Sequence, residues 1–121
     1  MINGAHVLLH SRNPEADRAF LRDVLLFRHV DVGHGWLIFR LPPAEVAVHP
    51  VDADSSQQDH RMIGATLYLM CDDVRAQVKL LEAKGVVCSA IEKEAWGFRT
   101  AIRLPSGGDI GLYQPTHQTV I

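Results

Sequence analysis

The sequence predicts an α+β fold made of two βαβββ modules, and three observations carry that prediction. The chain is written twice: HVLLHSRNPEADRAFLRDVLLF then GWLIFRLPPAEVAVHP, and TLYLMCDDVRAQVKLLEAKGVV then GFRTAIRLPSGGDIGLYQP. Both copies close on one cue, Arg40-Leu41-Pro42 or Arg103-Leu104-Pro105, followed by a turn and an apolar run ending at Pro50 or Pro115. Between the copies lies VDADSSQQDHR, residues 51–61, which is polar and lacks apolar periodicity, as a linker does. A repeat of about fifty residues fixes an architecture before local detail does. The expected layout is one domain over 1–121, with module 1 over about 1–50, module 2 over about 62–115 and a tail at 116–121. Two such copies suggest a pseudo-symmetric pair of sheets with a site between them.

Each element has a local reason. Residues 5–11 alternate as a strand, with His6, Leu8 and His10 on one face. Asn13 is a good N-cap and Pro14 is pre-set for the first helical position. Ala16, Ala19, Phe20 and Val24 then recur at helical spacing, with Glu15, Asp17, Arg18 and Arg22 elsewhere. Residues 27–32, 36–41 and 45–50 read as strands, the first two joined by a Gly33-His34-Gly35 turn. The pattern restarts with a strand over 65–71 that puts Thr66, Tyr68 and Met70 on one face. Asp72 or Asp73 caps a helix lined by Val74, Val78 and Leu81, and Lys84-Gly85 ends it. Residues 86–89 and 97–104 are strands, Ser106 to Asp109 a hairpin turn, and 110–113 the closing strand.

Composition narrows the function. The 121 residues are 47% hydrophobic and carry a formal charge of -2, with no basic stripe, so no nucleic-acid partner is expected. No apolar run is long enough to span a bilayer and the first residues do not read as a signal peptide, which makes a cytoplasmic protein the expectation. Cys71 and Cys88 sit in apolar contexts without metal or redox spacing and read as two buried thiols. No serine has a nucleophile-elbow context, and no phosphate loop or dinucleotide fingerprint exists.

The segments HVLLHSRNPEADRAFLRDVL and WGFRTAIRLPSGGDIGLYQP resemble the first strand and helix, and the closing hairpin, of the vicinal oxygen chelate superfamily. That superfamily includes glyoxalase I, extradiol dioxygenases, methylmalonyl-CoA epimerase, and fosfomycin- and bleomycin-resistance proteins. The resemblance covers nearly the whole chain. It departs in the last hairpin, where family glyoxalases carry Asp-Pro-Asp-Gly and this chain has Leu104-Pro105-Ser106-Gly107. The resemblance implies a glyoxalase-like cup, a divalent metal such as iron, manganese, nickel or zinc, and commonly a homodimer. The implied ligand positions fall on His6, Ala47, Thr66 and Gly111, of which only His6 is a natural ligand.

Other side chains could furnish the cup. His10 lies four residues beyond His6 on the same strand face, His49 two beyond Ala47, and Tyr113 two beyond Gly111. A displaced metal site would use His6 and His49, with His10 or Tyr113 as acid–base partner. Thr66, Tyr68 and Trp96 would contact substrate, since a flat ring with one N–H suits stacking on a planar ligand. The plainer readings are structural histidines, ordinary sheet aromatics, surface roles for His29, His34, His60 and His117, and a core position for Trp36. Three functions remain open: a metal-dependent lyase, isomerase or dioxygenase; a metal-free small-molecule binding protein; or a non-catalytic scaffold.

Overall fold

The computed structural model describes residues 6–48, 65–119 and 121. Helix α1 spans Pro14–Asp23, and the Asn13 side chain accepts from the Ala16 N–H at its start, as the sequence predicts. A hairpin of β1, His29–Asp31, and β2, Leu37–Phe39, follows. Strand β3, Tyr68–Met70, leads to α2, Val74–Ala83, capped by Asp73. Then come β4, Glu92–Glu94, β5, Gly97–Arg103, and β6, Asp109–Pro115. Their four-stranded sheet has the order β3-β6-β5-β4, with β3 parallel to β6 and the other pairs antiparallel. The fold is α+β with a mixed sheet, as expected.

The period-two alternation of a strand divides this sheet into two faces. One face carries Ile110, Leu112, Thr100, Ile102 and Leu104, all buried. It packs with Val74, Val78 and Leu81 of α2, and Phe20 of α1 joins the same core. Gly85, at a φ of 80°, ends α2 in the left-handed region that glycine adopts without strain. Thr100 is satisfied in the core, because its hydroxyl donates to the Ser89 carbonyl at 2.6 Å.

Several expectations change. Strand β4 is invisible to a search for apolar runs because it reads Glu-Lys-Glu; ion pairs from Arg99 to Glu92 and Glu94 cross its ladder instead. Residues 86–89 make only an isolated bridge, Cys88 to Ile102. Of the strands expected over 5–11 and 45–50, the described residues 6–11 and 45–48 join no ladder among the described residues. Asp17, expected away from the packed face, is buried because two donors hold its carboxylate. Trp36, expected in the core, is 63% exposed and lies under the Arg18 guanidinium, 4.7 Å from its ring centroid. Cys71 and Cys88 are free and only part-buried; burial nonetheless pushes both thiols up, helped by Asp72 and Asp73 at the first and Glu82 at the second. The linker expected over 51–61 lies outside the described residues, as do His49 and His60.

Candidate functional site

The other face of the four-stranded sheet carries the expected binding aromatics. Register sets Tyr68 opposite Gly111 and Met70 opposite Tyr113 across β3 and β6, and Arg99 opposite Tyr113 across β5 and β6. Trp96 stands just before β5. Three rings meet edge to face there: Tyr68 to Trp96 at 5.5 Å between centroids, Tyr68 to Tyr113 at 5.6 Å, and Trp96 to Tyr113 at 5.1 Å. Edge-to-face packing suits the ring quadrupoles; Tyr113 is buried in the cluster, and Tyr68 and Trp96 are part-buried.

Gly111 makes this arrangement possible. A Cβ at position 111 would collide with the Tyr68 ring. The missing side chain, which the sequence shows only as a lost ligand, is therefore the space that lets Tyr68 lie across β6. A donor side chain at this position and Tyr68 in its present place exclude each other.

Tyr113 has two polar neighbours. Its hydroxyl lies 3.3 Å from His117 Nε2, and His117 Nδ1 lies 2.8 Å from the Gln118 carbonyl oxygen. A carbonyl only accepts, so Nδ1 carries the proton, and Nε2 of the neutral ring accepts from the phenol. Burial pushes the Tyr113 phenol above its ordinary value, and the negative charge of Glu45 adds to the shift. Tyr113 is thus a hydrogen-bond donor at neutral pH. Glu45 belongs to the first half of the chain, so a charge from that half acts on the phenol. His117, expected as a plain surface residue, is exposed yet partnered, and Thr116 N–H anchors the tail to the Trp96 carbonyl at 3.0 Å.

The remaining expected residues are placed differently. His6, His10 and Thr66 are exposed, and none has a contact that ties it to the three rings. His49 lies outside the described residues. Among the described residues no three His, Cys, Asp or Glu side chains come together in a way that could hold a metal ion. The positions that the resemblance assigns to a metal do not fit one here: Ala47 and Gly111 supply no donor, and the Tyr68 ring fills the space above Gly111. Glu45 and His117 were missed by sequence reasoning. The available signal was the two-residue spacing of Glu45 from Ala47, which puts both on one strand face.

Comparison with solved structures gives this arrangement its class. The antibiotic-binding protein TnmS3 from Streptomyces sp. CB03234 is 25% identical, with a TM-score of 0.62 over 96% of this chain and 100% of that one. A glyoxalase/bleomycin resistance protein from the same Streptomyces is 26% identical, with a TM-score of 0.55 over 86% of this chain and 93% of that one. A lactoylglutathione lyase from Agrobacterium tumefaciens is 20% identical, with a TM-score of 0.63 over 93% and 92%. No protein-family profile matches the chain, and no curated protein sequence does. The fold is glyoxalase-like. With the repeat and motifs described above, it is consistent with the vicinal oxygen chelate superfamily.

Proposed function

We propose that this protein binds a small planar aromatic or conjugated molecule on the Tyr68, Trp96 and Tyr113 face, without a metal. The observation that carries the reading is Tyr68 lying over Gly111, where the family would place a ligand side chain. Ring faces and edges would supply the contact area, and the Tyr113 phenol and Trp96 N–H would supply orientation. The 25% identical antibiotic-binding neighbour supports a sequestering role over a catalytic one. The test is a thermal-shift screen of flat aromatic compounds on chelator-treated protein, repeated on Trp96→Ala. A ligand binding only the folded state raises its melting temperature, by about 2.7 kcal/mol of stability at a hundredfold excess over Kd. Stabilisation lost in Trp96→Ala is expected. Stoichiometric iron, manganese, nickel or zinc that disappears in His6→Ala would instead favour metal-assisted chemistry on a displaced His6 and His49 centre.

A homodimer forms part of this reading. Strand β3 has one open edge, and unpaired apolar residues lie near the chain's start and in its middle: Leu8 is 70% exposed, Val46 91% and Val48 93%. Open edges and alternating apolar segments favour strand pairing with another chain, and the internal repeat makes a second copy the matching partner. Light scattering after size exclusion should give twice the chain mass; a monomer would remove this part of the proposal.

A further inference from the structure

The β1–β2 hairpin carries a second feature, which the aromatic site does not use. Register pairs His29 with Phe39 and Val30 with Ile38, and the Arg40 N–H donates to the Arg28 carbonyl at 2.8 Å. Continuing that register sets Arg28 directly opposite Arg40. By strand alternation the two arginines share a face with Val30 and Ile38. Like charges directly opposite one another destabilise a strand pair. A sequence that keeps such a pair usually has a use for it.

The other sheet arginines differ. Arg99 is clamped by Glu92 at 2.8 Å and Glu94 at 2.9 Å, and Arg103 reaches Asp109 at 3.3 Å. Among the described residues Arg28 and Arg40 have no ion pair and no side-chain hydrogen bond. Two carboxylates close by in sequence are committed elsewhere: Asp31 caps the turn at the Gly33 and Gly35 N–H groups, and Asp23 pairs with Arg22. An open groove of about 420 Å³ is lined by Arg28, His29, Val30, Ile38, Phe39 and Arg40, and by none of the three site rings.

We infer that this groove binds an organic anion with a flat apolar body, its carboxylate or sulfonate held between Arg28 and Arg40 and its body on Val30 and Ile38. Two guanidinium forks on facing positions of the hairpin, both lining the groove, suit the oxygens of one anionic group. Val30, 60% exposed, and Ile38, 37% exposed, offer apolar surface immediately beside that charge. Neither half suffices alone: a bare inorganic anion would leave the apolar floor wet, and a neutral ring would leave the arginines facing each other.

The test uses the full chain labelled with 15N-arginine, titrated with 2-naphthalenesulfonate and with neutral 2-naphthol. The sulfonate should shift the side-chain N–H signals of Arg28 and Arg40 and leave those of Arg99 in place, binding at least tenfold tighter than the naphthol. Arg28→Gln with Arg40→Gln should abolish that difference between probes. The double variant should also melt no lower than the parent, because it removes a repulsion. Equal affinity for the two probes, uniform shifts across the arginines, or a double variant that still prefers the sulfonate would overturn the inference. Tyr68→Ala should leave the sulfonate-induced shifts of the Arg28 and Arg40 side-chain signals unchanged, which separates this groove from the aromatic face.

Discussion

The Asp17 carboxylate on α1 accepts a 3.0 Å hydrogen bond from the backbone N–H of Ser106, 89 residues further along the chain. It also accepts from the Ser11 hydroxyl at 2.6 Å. One short acidic side chain therefore fastens the first helix to the turn between β5 and β6. Lys84 makes a second tie, its ammonium donating to the Val24 carbonyl at the end of α1 at 3.1 Å.

Asp17→Ala should lower stability by about 1–3 kcal/mol, because it strands the Ser106 N–H beside a buried site. Burial alone would raise the Asp17 carboxyl, but the hydrogen bonds from Ser11 and Ser106 outweigh it and hold it below its ordinary value. A depressed native value gives a definite sign. The stabilisation is fully present above the unfolded carboxyl range near pH ~4 and is lost as pH falls through the native value. Urea melts of parent and variant should differ at pH 7 and converge in strong acid.

Gly111→Ala should displace Tyr68 and cost about 1–3 kcal/mol, the usual range for overpacking. In a Tyr68→Ala background the same change should cost much less, because the ring is no longer there to move. A double-mutant cycle on melting temperature, with near-ultraviolet circular dichroism reporting the ring cluster, measures that coupling.

Tyr113→Phe keeps the ring and removes the phenol. The raised native value means that Tyr113 stays protonated beyond the ordinary phenol range near pH ~10, and its stabilisation is lost only as pH rises through the native value. An ultraviolet titration of the parent should show a late-ionising tyrosine that the variant lacks. Loss of the phenol should also shift the His117 ring signals in a histidine NMR spectrum, since Nε2 loses its donor.

Leu26 sits in the left-handed region at a φ of 59° and is 69% exposed. The Phe27 N–H reaching back to the Leu21 carbonyl at 3.0 Å is the closure of a helix end that normally uses glycine. Leu26→Gly should raise stability by about 1 kcal/mol, the approximate cost of that conformation for a residue with a Cβ. Thermal melts will read the gain directly.

Much of the fold could be read from neighbours in sequence. Asn13-Pro14 and Asp73 start helices because a short side-chain oxygen reaches a backbone N–H three residues on. Val74, Val78 and Leu81 announce a buried stripe because 3.6-residue spacing puts them on one side. Strand β4 was not legible, because its ordering comes from Arg99 on the next strand and not from apolar residues of its own. Residues 6–11 and 45–48 have strand patterning but no ladder, since pattern supplies a face and not a partner.

The site divides the same way. By itself the sequence determined the two helices and their caps, the closing hairpin and the aromatic residue types at 68, 96 and 113. Those depend on interactions within a few residues. Tertiary structure alone decided that Tyr68 fills the space above Gly111, that Tyr113 donates to His117 under the charge of Glu45, and that Asp17 is buried against Ser106. Each joins groups whose approach is set by strand register and helix packing. A contact across 43 or 89 residues leaves no local trace, because neither partner alone has a spacing or propensity that reveals the other.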